Sequence, residues 1–114
     1  MNTSAKDASY TERLKRAKRH GISTAAQGRM YENAFKDFLL DSRRAYEVTR
    51  AAGSHGTYDL ISVEADAVCG YQLKSGRMSC RMAIALSRAL NAQHWPNFLG
   101  YVVHRTKEKE FCEH

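Results

Sequence analysis

The sequence predicts a mixed α/β fold, a small mixed central sheet flanked by helices, on three observations. Three short β-rich runs, "AYEVTR" (45–50), "YDLISVE" (58–64) and "AVCGYQLK" (67–74), are separated only by glycine-rich or acidic turn segments, as in a meander. Runs with helical apolar period stand on either side of these three. The single proline, Pro96, breaks the second helical run, and "NFLGYVVHR" (97–105) after it reads as a fourth strand.

Taken in order, "SYTERLKRAKRH" is a short basic helix. Ser9 and Glu12 fit a capping box, Leu14 and Ala17 supply a thin apolar face, and Gly21 ends it. With so little apolar surface it must either dock on the body or order on DNA. "ISTAAQG" reads as a small-residue connector, with Ser23 or Thr24 placed to cap the next helix. "GRMYENAFKDFLLDSRR" puts Tyr31, Ala34, Phe35, Phe38 and Leu39 on one helical face, with Glu32 at its margin. The three strands come next. "MSCRMAIALSRALNAQH" then returns to helical period, with Met82, Leu86, Ala89 and Leu90 as the expected buried face. "KEFCEH" adds a short edge strand. The order is α, α, β, β, β, α, β, divided as a basic N-terminal arm or helix over 1–26 and a body over 27–114.

Composition narrows the function. The chain has 114 residues, 43% hydrophobic and 26% charged, the balance of one globular domain. No stretch reaches the roughly 20 apolar residues of a membrane span, and no signal-peptide pattern is present. The expectation is a cytoplasmic protein, in the host cytoplasm if viral, with no membrane partner. Cys69, Cys80 and Cys112 show no CxxC spacing and the five histidines no HxxxH pair. A disulfide framework, a structural zinc site and a zinc enzyme are therefore not expected, and the cysteines read as reduced and mostly packed. Charge is unevenly placed: residues 1–29 carry seven basic against two acidic side chains, net +5, and the remaining 85 residues only +1. A basic arm on a nearly neutral body is the electrostatic footprint of a nucleic-acid binder. Arg13, Lys15, Arg16, Lys18, Arg19 and Arg29 are its candidate phosphate contacts.

One group of residues suggests chemistry. Asp59 follows "AGSHG" and opens a β-branched run, where a strand end fixes a carboxylate rigidly. In "YQLKSG", Gln72 and Lys74 stand two apart and project to one face. Hairpin pairing of the two strands sets Asp59 near that pair, and Glu32 approaches from the preceding helix. Mg²⁺ is held by one or two carboxylates and otherwise by water and substrate phosphate, so Asp59 and Glu32 suffice, with Gln72 as a neutral carbonyl ligand. Lys74 would stabilise negative charge on a phosphodiester undergoing hydrolysis. Singly, each has an ordinary reading: a turn aspartate, a strand-end lysine, a half-exposed glutamine, a helix-surface glutamate. Ser54 and His55 read first as turn-shaping residues, with the Ser54 hydroxyl able to bind a scissile phosphate. Tyr58, Arg50, His55 and Arg77 are further candidate DNA contacts of low specificity.

"GRMYE", "RAAGSHGTYDLISV", "GYQLKSG", a helix and "FLGYVVHR", in this order over about residues 27–114, resemble the archaeal-type Holliday junction resolvases and their viral and phage relatives, within the PD-(D/E)xK nuclease superfamily. The resemblance implies a restriction-endonuclease-like αβββαβ core and a homodimer that cuts paired strands of a four-way DNA junction. The metal it implies is Mg²⁺, with Mn²⁺ as substitute, and no small-molecule cofactor. Residue by residue, it implies Glu32 as the helix glutamate, Asp59 as the central metal-binding aspartate, Lys74 as the catalytic lysine and Ser54 as the mobile-loop serine. Two positions depart from the pattern. Gln72 stands where most members have an acidic ligand, which removes a unit charge from the metal site and leaves a catalytically weak junction- or DNA-binding protein as an alternative, beside a nuclease of this superfamily without junction selectivity. Tyr58 replaces a turn proline.

Overall fold

A computed structural model describes residues 9–51, 57–92 and 96–114. Two helices, α1 (Tyr10–Arg19) and α2 (Thr24–Asp41), precede strands β1 (Ala45–Arg50), β2 (Leu60–Glu64) and β3 (Val68–Arg77). Helix α3 (Cys80–Leu90) then leads to β4 (Phe98–Arg105) and a short β5 (Cys112–Glu113). The five strands form one sheet in sequence order, antiparallel except for the parallel β3–β4 pair that α3 connects. The mixed α/β class and the element order therefore agree with the sequence reading.

Several boundaries differ. Residues 24–28, expected as a connector, form the first turn and more of α2, because the Ser23 hydroxyl accepts the Ala26 N–H and starts the helix there. Strand β3 runs three residues past Lys74. Helix α3 starts at Cys80, where the Ser79 hydroxyl accepts the Met82 N–H, and ends at an Asn91 cap rather than near Pro96.

The core lies between α2 and one face of the sheet. Tyr31, Ala34, Phe35 and Leu39 of α2 are buried against Leu60, Cys69, Tyr71 and Val103, which alternate along their strands. Phe35 is the hub, its ring edge-on to Tyr71 at 4.9 Å and to Phe111 at 5.2 Å. Phe38, expected inside, is 39% exposed at the rim. Of the two courses open to the basic helix, docking is the one adopted: Tyr10 and Leu14 belong to the same core. Tyr10 meets Tyr31 edge-on at 4.8 Å, and Glu110 accepts the Thr11 N–H at 2.7 Å.

Helix α3 covers the opposite face, and its buried face is only in part the expected one. Ala83 is fully buried with Leu86 and Leu90 half-buried, whereas Met82 is 57% exposed and Ala89 faces outward. Asn91 clips the end of α3 to β4, its side chain donating to the Gly100 carbonyl at 2.8 Å and accepting the Gly100 N–H at 3.0 Å. The amide thus stands in for a neighbouring strand where β5 does not reach.

Arg44, between α2 and β1, ties the other end of the sheet. It donates to Glu64 at 3.2 Å and to Glu113 at 2.7 Å, and Glu64 also accepts hydrogen bonds from Ser62 and Tyr71. Burial pushes the Glu64 carboxyl up, but those hydrogen bonds and the Arg44 charge outweigh it, leaving the pKa below the usual value. A carboxyl lowered in the folded state stabilises the fold above its unfolded pKa and loses that contribution as pH falls through the folded one. Denaturant stability is therefore expected to decline below about pH 4.5, and Glu64→Gln to be less stable at neutral pH with a shallower decline. Parallel pH profiles for the two proteins would refute the assignment.

Candidate functional site

Asp59 sits one residue before β2 but already follows its ladder. Its N–H donates to the Tyr71 carbonyl at 2.8 Å and its carbonyl accepts the Ala51 N–H at 3.0 Å. Leu60 opposite Tyr71 is the last pair of the β2–β3 register, and Asp59 lies just beyond it. Its carboxylate accepts the Leu73 N–H at 2.7 Å, so main chain and side chain are both held by β3. This is the rigid strand-end carboxylate that the sequence suggests.

Tyr58 explains how the residue before Asp59 is fixed. Gly70 and Gly100 are paired across β3 and β4. A Cβ on Gly70 would lie 2.6 Å from the Tyr58 ring, and one on Gly100 2.7 Å from its hydroxyl. The two glycines form a notch that the tyrosine fills, with Phe98 edge-on at 5.4 Å. Tyr58 is half-buried packing rather than a free surface contact, and burial pushes its hydroxyl pKa up.

Glu32 lies half-buried on α2, and Arg50 donates to it at 3.1 Å from the end of β1. Burial pushes its carboxyl pKa up, the Arg50 charge opposes this, and the Asp59 charge reinforces it. Gln72 is half-buried and Lys74 exposed. Among the described residues neither has a hydrogen bond or ion pair with Asp59 or Glu32. Strand β3 loses register with β4 between Leu73 and Arg77, and Lys74 stands at the start of that break. Irregularities of this type re-aim side chains beside active sites.

Ser54 and His55 lie outside the described residues, as does the rest of 52–56. Lys15, Arg16, Lys18 and Arg19 are exposed along α1, while Arg13 is half-buried. Arg29 and Arg77 are exposed, and the Arg50 side chain, although paired with Glu32, is 52% exposed. The basic residues thus remain accessible to a polyanion, but the helix that carries most of them is part of the core. Among the described residues no helix is long and apolar enough to cross a membrane.

A second constellation was not expected from spacing. Cys80, His104, Cys112 and His114 have candidate ligand atoms that all lie within 4.8 Å of one another. Cys80 opens α3, His104 is buried on β4, and His104 pairs directly with Cys112 across β4–β5. His114 continues that ladder opposite Val102, so it shares a face with Cys112. Cys69 alone fits the packed-thiol reading, being buried, whereas Cys80 is exposed and Cys112 intermediate. The usable signal was the Cys112–x–His114 pair at strand spacing, which motif rules built for helices and zinc knuckles do not register.

Comparison of the chain with models of known protein families, with curated proteins and with solved structures finds no match.

Proposed function

We propose that the chain is a Mg²⁺-dependent, structure-selective DNA endonuclease with a restriction-endonuclease-like core, resolving four-way junctions as a homodimer. One observation carries the reading. Asp59, the residue that motif order assigns to the metal, has its carboxylate tied to the β3 backbone between Gln72 and Lys74, and its charge is among the causes that raise the Glu32 carboxyl pKa on α2. The α2–β1–β2–β3–α3–β4 order, which is the αβββαβ order of that superfamily, supports it.

The donor set fits the ion. Asp59 commits one carboxylate oxygen to the Leu73 amide and Glu32 one to Arg50, so each retains an oxygen for a cation that needs only one or two carboxylates. When bound, Mg²⁺ supplies charge neutralisation at the phosphate and a more acidic water. The chain's residues do the rest. The Arg50 charge opposes the upward push that burial gives the Glu32 carboxyl, Lys74 would place a positive charge where the phosphate becomes more negative, and the exposed α1 cations would hold the DNA backbone. Two such sites related by a twofold axis would match the paired strands of a junction.

The test is cleavage of a labelled four-way junction and a matched linear duplex, with Mg²⁺ and with EDTA. Symmetric metal-dependent nicks in the junction alone are the expected result. Tight junction binding without a cut would favour the second reading, a structure-specific DNA binder, for which the neutral Gln72 is the specific argument.

Gln72→Glu restores a unit charge to the metal site and is expected to lower the Mg²⁺ concentration for half-maximal cleavage about tenfold. An unchanged requirement would remove Gln72 from the ligand set. For DNA binding, deleting α1 would strip Tyr10 and Leu14 from the core, so the informative variant replaces exposed Lys15, Arg16, Lys18 and Arg19 with glutamine. The slope of log affinity against log salt is expected to flatten by about 0.9 for each phosphate that is no longer neutralised. An unaltered slope would show that α1 does not touch the backbone.

A further inference from the structure

We propose that Cys80, His104, Cys112 and His114 form a structural Zn²⁺ site that joins α3 to β4 and β5. The donor set is the Cys₂His₂ combination that closed, tetrahedral zinc sites use, with four protein ligands and no open position. Zinc–sulfur bonds of about 2.3 Å and zinc–nitrogen bonds of about 2.0 Å set ligand atoms roughly 3.3–3.8 Å apart around a tetrahedron. Here the two histidine Nε2 atoms are 3.0 Å apart, and the Cys112 Sγ is 3.4 Å from the His114 Nε2. Small shifts of these side chains, outward for the two histidines and inward for ligand atoms up to 4.8 Å apart, reach that spacing.

The surroundings prepare the ligands. His104 Nδ1 lies 3.1 Å from the Arg105 carbonyl, an acceptor only, so the ring proton belongs on Nδ1 and the Nε2 lone pair faces the cluster. His104 is fully buried. Strand alternation puts Cys112 and His114 on the same face as His104, and the Ser79 cap sets Cys80, the first residue of α3, over them. The His104 and His114 rings lie 5.1 Å apart with planes 9° apart, and their Nε2 atoms, 3.0 Å apart, face one another between the rings. None of these residues belongs to the Asp59–Glu32 site, and the proposal stands whether or not the chain cuts DNA. Uptake of Zn²⁺ would release the two thiol protons and leave cysteine and zinc redox states unchanged.

The experiment uses the full chain, freed of metal and kept reduced, titrated with Co²⁺ and then Zn²⁺. One Co²⁺ per chain is expected, with the visible bands of tetrahedral cobalt and a near-ultraviolet thiolate-to-cobalt band, both erased by one equivalent of Zn²⁺. Thermal stability is expected to rise with bound metal. Cys80→Ser, on an exposed helix start, is expected to halve the thiolate band and weaken affinity about a hundredfold or more, whereas Cys69→Ser leaves both unchanged. No stoichiometric uptake by the reduced wild-type chain would overturn the proposal. So would uptake without a thiolate band, a result that needs no variant to fold, or uptake that Cys80→Ser does not weaken.

Discussion

Asp59→Asn is expected to abolish metal-dependent cleavage, lowering the rate at least about 10²–10³-fold, while junction binding persists. The substitution separates charge from structure. An amide oxygen still accepts the Leu73 N–H that the carboxylate accepts at 2.7 Å, so the turn before β2 keeps its anchor. The negative charge that a divalent cation requires is gone. Circular dichroism and melting temperature should match the parent protein, and added Mg²⁺ should not restore the rate. Cleavage within tenfold of the parent would mean that Asp59 is a structural turn residue, and the nuclease reading would fall.

Phe35→Ala is expected to cost about 3–5 kcal/mol of folding stability, a large share of the roughly 5–15 kcal/mol that holds a domain together. Its ring is fully buried and touches rings contributed by α2, β3 and the segment before β5. A fall in melting temperature of about 10–30 °C should result. Phe38→Ala, at a rim position 39% exposed, serves as the comparison and is expected to cost far less. Equal losses at the two positions would show that α2 does not pack through Phe35.

The elements were legible in the sequence where a single period governed them. Tyr31, Ala34, Phe35 and Leu39 recur at helical spacing and all are buried on α2, and the capping residues Ser9 and Ser23 act as the local chemistry requires. The α3 face was legible only in part, at Leu86 and Leu90, because Met82, Ala83, Leu86, Ala89 and Leu90 offer two overlapping apolar stripes. Gly100 decides between them. A Cβ there would lie 3.3 Å from the Leu90 Cβ, so the bare glycine admits the helix end closely and selects the Ala83–Leu86–Leu90 stripe. The place of Asp59 at a strand end was legible because the start of a β-branched run is a local signal, whereas its nearness to Glu32 depends on how α2 packs on the sheet. The Cys/His cluster was not legible, because its members come from α3, β4 and β5, and their meeting depends on the sheet's completed order.

The notch made by Gly70 and Gly100 bears on how relatives of this chain would diverge. Tyr58 fills space that two side chains on neighbouring strands would otherwise occupy, so positions 58, 70 and 100 share one volume. Drift at any one of them is constrained by the other two. A descendant that exchanged the tyrosine for a proline would vacate the notch and release both strands from glycine. Covariation of these three positions, a tyrosine with two glycines or a smaller residue with bulkier ones, is therefore the evolutionary signature of this packing, and it would appear independently of any change at Asp59.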